Sequence, residues 1–136
     1  MYKRQPPYWQ DAIRRWSGQY GERVVVEWWT NRQRPTAYAC KTLATAIETG
    51  GLRHTGDREL TAHVANSRRK DLAIRDEDGA PLWRIEKARP DSPHKIDLAM
   101  SLVLAWEARG DALASGALQA RKAPTSVPAS EIVRVR

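Results

Sequence analysis

An α/β domain is what this sequence predicts, on three observations. Residues 94–109, HKIDLAMSLVLAWEAR, form one helical pattern that is apolar on nearly every side. Residues 23–29, RVVVEWW, make a β-branched and aromatic run between two helical patterns. Residues 72–87 carry two short strand patterns around an acidic turn closed by glycine. Helices alternating with a strand that reads as buried on both faces point to layers of helix on sheet. At 136 residues the chain has room for one domain with its own core, or for a part of a larger one.

Residues 1–7 are polar and end in Pro6-Pro7, which continues no strand and opens no helix interior. Trp9, Ala12, Ile13, Trp16 and Tyr20 then make a helical stripe over residues 8–20, with Gln10, Asp11, Arg14 and Arg15 outside it. Gly18 and Gly21 weaken and end that helix. The 23–29 strand follows. Thr30 or Asn31 is placed to cap the next helix, residues 36–49, whose inner positions are Ala37, Cys40, Leu43, Ala44 and Ile47 and whose stop is Gly50-Gly51. Asp57 caps a third helix that the pattern carries to residue 69, with Leu60, Val64 and Ser67 inside. On it His63 and Asn66, three apart, point the same way.

The hairpin pairs 72–75 with 82–87 across Asp76-Glu77-Asp78-Gly79. Pro90, Ser92 and Pro93 break the chain before the last helix, with Ser92 or His94 as its cap. In that helix Ile96, Met100, Val103 and Trp106 share one buried face, widened by Leu98, Leu102 and Leu104. Asp97, Ser101 and Ala105 form a narrow strip of small residues that brings one carboxylate close to whatever the helix packs on. Apolar periodicity fades past Gly110. Residues 117–136 hold two prolines and four cations against Glu131, and are expected to be a flexible basic tail after a folded 1–116.

The net charge is +7 and the pI about 10, with arginine far ahead of lysine. Such a balance favours a polyanionic partner, above all nucleic acid, through phosphate neutralisation. Arg32, Arg34 and Lys41 sit near the start of the second helix, where cations oppose the helix dipole, and this favours a phosphate-facing role for them. A single cysteine, Cys40, excludes an internal disulfide and a cysteine-based zinc site. No apolar run reaches the roughly 18 residues of a membrane span, and the reading is of a cytoplasmic protein.

No phosphate loop, dinucleotide fingerprint, nucleophile elbow or zinc spacing occurs. His54, His63 and His94 are scattered and read as structural or surface groups. The Asp76-Glu77-Asp78 turn lacks the spaced ligands of a calcium loop and reads as a solvated hairpin turn. Asp97 on physical grounds is a first-turn acid that complements the helix dipole. Its apolar surroundings add a functional reading, because a buried carboxylate needs a partner such as a cation.

One larger pattern joins these residues. The run GLRHTGDRELTAHVANSRR, then a hairpin ending in IEKARPDSPHKID, then an Ala- and Leu-rich helix, resembles the C-terminal part of the large terminase subunits of tailed phages. It looks like the form carried by actinobacterial phages and prophages. The residues that carry the resemblance are Gly51, Leu52, His54, Gly56, Asp57, His63, Asn66, Lys87, Lys95, Ile96 and Asp97. It extends upstream through PPYWQDAIRRW and VVVEWWTNRQRP and covers roughly residues 8–116. It departs after Asn66, where Ser67 stands in place of the family's alanine.

The resemblance implies the nuclease half of a DNA-packaging motor, with a partial RNase H-like fold: helices on a small mixed sheet, a hairpin and a C-terminal apolar helix. In that family three acids hold two divalent ions, Mg2+ or Mn2+, which activate a water and stabilise the leaving oxygen of a phosphodiester. Asp97 matches the third acid and is the implied metal ligand and catalytic residue. Arg32, Arg34, Lys87 and Lys95 are the candidate DNA contacts, with His54, His63 and Asn66 in support. The implied partners are double-stranded DNA, a separately encoded ATPase with the first half of the nuclease, the portal and the small terminase.

Two departures weigh on this. The chain has no P-loop, and the position of the family's second acid falls on Gln5 before Pro6. Glutamine is neutral and a poor magnesium ligand. The expectation is therefore a nuclease-domain fragment that does not cut DNA alone. A non-enzymatic DNA-binding module using Arg14, Arg15, Arg32, Arg34, Arg68, Arg69 and the tail is the rival reading.

Overall fold

The computed structural model describes residues 7–116, and the side chains of residues 10–116. Four helices and one hairpin follow in the order α1 Pro7–Tyr20, α2 Gln33–Glu48, α3 Arg58–Asn66, β1 Ser67–Arg75, β2 Pro81–Lys87 and α4 Asp97–Ala114. The chain is α/β, as its patterns predict. Residues 117–136, read as a tail, lie outside the described residues.

The core forms where α2 and α4 meet the hairpin. Ala39, Cys40, Leu43 and Val103 are buried together, ringed by Leu52, Trp83, Ile85, Met100, Leu102 and Trp106. Spacing puts Ala39, Cys40, Leu43 and Ala46 on one side of α2, and all four are buried. Half of the buried apolar residues described are alanines, Ala37, Ala39, Ala46 and Ala99. Small side chains let backbones approach closely, but they remove little apolar area from water per residue. Burial pushes the Cys40 thiol up from its usual value, with smaller opposing pulls from a backbone contact at Ile85 and from the Arg84 charge.

The ends of α2 differ from expectation at one side only. Neither Thr30 nor Asn31 caps it: Arg32 occupies the cap position without a side-chain bond. Thr30 instead lends its carbonyl to the buried Thr36 hydroxyl, at 3.2 Å. At the other end Gly50 takes a φ of +70°, Gly50 N–H donates to Ile47 O at 3.2 Å and Gly51 N–H to Ala46 O at 2.7 Å. This pair of bonds is the glycine stop that the sequence predicts.

The strand expected over residues 23–29 does not form. Val24 and Val25 donate to Gly21 O in a turn, and residues 26–29 run on without a ladder. The described sheet is the antiparallel hairpin alone, not a mixed sheet. A β-branched run becomes a strand only beside an edge that accepts it. Lacking one, Val24 and Val26 are 73% and 64% exposed, the reverse of burial on both faces.

The hairpin starts earlier than its alternation suggests. Ser67 pairs with Lys87 and Asp71 with Trp83, so residues expected to finish α3 belong to β1. Helix α3 stops at Asn66, and its inner face is rotated from expectation: His63 is buried, while Val64 is exposed. Asp57 caps it as predicted, accepting from Leu60 N–H at 2.7 Å. Likewise α4 begins at Asp97 and continues through Gly110, and Ser92 closes the turn before it instead of capping it. Only Ala99 and Val103 of α4 are buried, so it is less enclosed than its apolar circumference predicts. No helix among the described residues is long and apolar enough to cross a membrane.

Asp76 fastens the hairpin turn to α2. Its Oδ1 accepts from Asp78 N–H and Ala80 N–H at 3.1 and 2.8 Å, and its Oδ2 accepts from Lys41 Nζ at 2.8 Å. The Asp76 side chain is 6% exposed, so the acidic turn is not wholly solvated. The Lys41 bond holds the Asp76 carboxyl below its usual range, and Asp76 holds the Lys41 ammonium above its own. A lowered carboxyl pKa stabilises the fold above the ordinary carboxylate value, and that stabilisation is lost as pH falls through the folded value. Asp76→Asn keeps the turn acceptor and removes the charge. Urea unfolding of the two proteins should show wild type more stable at neutral pH, with the gap closing on acidification. A gap independent of pH from neutral to strongly acidic would contradict the pairing.

Candidate functional site

Asp97 opens α4 on a solvent-facing position. Ser101 and Ala105, expected to lie with it against the packed face, are exposed with it. Ala99 and Val103, the buried residues of α4, set its inward direction, and Asp97 falls on the other side. The small-residue strip therefore faces outward. Ser101 Oγ donates to the Asp97 carbonyl at 2.9 Å, which leaves the carboxylate out of that bond.

What holds this helix start is α3. Ile96 occupies the cap position of α4 and has no side chain that can accept a hydrogen bond. His63 supplies the acceptor: its Nδ1 takes the Leu98 N–H at 2.9 Å. Nδ1 accepts only if the ring carries its proton on Nε2, so the bond fixes the tautomer. One turn on, Asn66 Nδ2 donates to Lys95 O at 3.1 Å. Two side chains three apart on α3 thus bond the two ends of the Lys95–Leu98 turn. The expectation that His63 and Asn66 point the same way holds, and their target is the start of α4.

The remaining candidates divide by position. Lys87 Nζ donates to Ser92 O at 3.3 Å and ties the end of β2 to the loop that leads to α4. Lys95 is exposed, and its carbonyl is the Asn66 acceptor. His54 makes a local bond, its Nδ1 accepting from Gly56 N–H at 3.1 Å. Gly56 has a φ of +80°, a conformation that glycine adopts without a steric penalty. Arg32 and Arg34 are exposed at the start of α2, and no hydrogen bond or ion pair joins them to the Asp97 turn among the described residues. Of the rival DNA contacts, Arg68 bonds Ala65 O and Ser67 O, and Arg69 bonds Asp71.

The carboxylates around Asp97 do not converge. Among the described residues no three His, Cys, Asp or Glu side chains come together as a metal-ion cluster. Asp91 is exposed and pairs with Arg89 at 3.9 Å. Glu107 is on the same helix, and burial and then the Asp111 charge push its carboxyl up. It stands ten residues beyond Asp97, about 15 Å along the helix axis. Two catalytic ions sit about 3.5–4 Å apart, so these acids cannot share them.

Sequence reasoning missed a second surface. Thr42, Thr45 and Thr49 line one side of α2 and, with Tyr38, Lys41, Trp106 and Arg109, border an open groove of about 590 Å3. The threonine spacing and the Trp106–Arg109 pair one turn apart were the available signals. A smaller apolar cavity of about 110 Å3 lies against Leu43, Ile47, Val64 and Leu102.

No protein-family model, curated protein or solved structure matches the chain.

His63→Ala should cost about 1–2 kcal/mol in chemical unfolding, because it leaves the half-buried Leu98 amide without its acceptor. Amide exchange at Leu98 should quicken more than exchange in the middle of α2. Equal stability and unchanged Leu98 exchange would remove His63 from this capping role.

Proposed function

We propose that the chain is the C-terminal part of the nuclease domain of a phage terminase large subunit, with Asp97 as one of the acids of a divalent-metal site. One observation carries the reading. His63 and Asn66, on α3, and Lys95 and Asp97, which follow Asn66 by 29 residues or more, belong to the pattern that resembles the terminases and meet at one turn of the structure. A helix start held from a neighbouring helix presents its first carboxylate on a fixed backbone, as a metal ligand requires.

In this reading the fold is a part of an RNase H-like domain. The exposed Val24 and Val26 and the outward side of α4 are the surfaces that the rest of that domain would cover. The residues described do not fit a two-ion centre by themselves, since Asp97 has no converging carboxylates. Cleavage of concatemeric DNA at genome ends then needs acids brought by another part of the nuclease. Translocation needs an ATPase, and both act in the host cytoplasm with the portal and the small terminase. Lys87, Lys95, Arg32 and Arg34 are the proposed contacts to duplex phosphates.

The test has two parts. Supercoiled plasmid with Mn2+ should stay intact in the presence of the chain alone, and nicking by wild type that Asp97→Ala abolishes would overturn the inactivity. Mn2+ titration followed by NMR should broaden the amides around Asp97 in wild type and spare them in Asp97→Ala. Broadening that ignores the substitution would end the case for Asp97 as a ligand. The rival binding module predicts instead salt-dependent duplex binding that needs no metal and is unchanged by Asp97→Ala.

A further inference from the structure

The groove between α2 and α4 lies well away from the Asp97 turn. Trp106 and Arg109 follow Asp97 by nine and twelve residues, about 14 and 18 Å along the helix axis. We propose that this groove binds single-stranded nucleic acid, with a base stacked on the Arg109 guanidinium.

Arg109 is held for this role. Its guanidinium carbon lies over the Trp106 ring, 4.8 Å from the centroid, within the range of a cation–π contact. Arg109 is exposed and makes no ion pair among the described residues. Lys41, the other cation bordering the groove, is paired with Asp76. Because Asp76 offsets Lys41, the groove's attraction for phosphate rests on Arg109. A guanidinium fixed on an aromatic ring stacks on a base at little further ordering cost, and its N–H groups remain free for phosphate oxygens.

The opposite wall offers hydrogen-bond acceptors. Thr45 Oγ1 donates to Lys41 O at 3.1 Å, Thr49 Oγ1 to Thr45 O at 2.8 Å and Thr42 Oγ1 to Ala39 O at 3.1 Å. With their protons turned back to the helix, these hydroxyl oxygens keep lone pairs for the amino groups of bases. The groove is open, with about 590 Å3 between its walls. The net charge of +7 draws a polyanion from a distance.

The experiment is fluorescence anisotropy of a labelled 12-nucleotide oligo-dC against the full chain, without metal, so that the outcome of the nicking assay does not bear on it. Arg109→Ala should weaken binding about tenfold and lower the salt slope by about one. Arg109→Lys keeps the charge without the planar face and should remain at least about threefold weaker than wild type. Thr45→Val, which keeps the side-chain shape, should weaken binding about threefold. Circular dichroism of each variant should match wild type, since both positions are exposed. Full affinity in Arg109→Ala or Arg109→Lys would overturn the proposal. So would a 12-base-pair duplex whose binding depends on Arg109 as strongly.

Discussion

Ala39, Cys40 and Leu43 lie on the side of α2 against which both β2 and α4 pack, and the other contacts are arranged around that junction. The hairpin reaches it through Trp83 and Ile85, and α4 through Val103 and Trp106. Because α2 contributes mainly alanines and a cysteine, its partners come close, and small errors in their placement would open voids. Polar bonds at the margin then fix what apolar packing leaves free. Lys41–Asp76 locks the hairpin turn to α2, and His63–Leu98 locks α3 to α4. The two locks bind different pairs of elements, so the Asp97 turn takes its position from α3, with α2 setting only the depth of α4.

Much of this could be read from the sequence, because many of its signals are local. Asp57 as a cap, Gly50-Gly51 as a stop and Gly79 in the hairpin turn depend on backbone geometry within a few residues, and they appear where their residue types place them. Helices α1, α2 and α4 form for the same reason, although Trp16 and Tyr20 of the expected α1 stripe and Ile47 of the expected α2 stripe are exposed. The direction shared by His63 and Asn66 followed from helix spacing, though not their target.

The failures involve partners. Residues 23–29 have every propensity of a buried strand, but propensity does not supply a neighbouring edge, and none among the described residues pairs with them. Leu60, Val64 and Ser67 formed a plausible inner stripe for α3, yet burial was set by α4, which takes His63 instead. Asp97 was read as close to a packed face because Ser101 and Ala105 are small. Smallness does not tell an interface from an open side, and Ala99 and Val103, small or medium residues of the same helix, are the ones enclosed. The groove at Arg109 escaped notice because its walls come from two helices more than fifty residues apart in sequence.

Cys40 gives the molecule a property of its own. It is the only cysteine of the chain, 2% exposed, and burial pushes its thiol up from the usual value. Thiolate is the reactive species, so an alkylating reagent attacks only when the hairpin or α4 parts from α2. The rate of that labelling is an intrinsic clock for opening of the junction, and it needs no engineered reporter. It reads local breathing separately from global unfolding wherever the two differ in free energy.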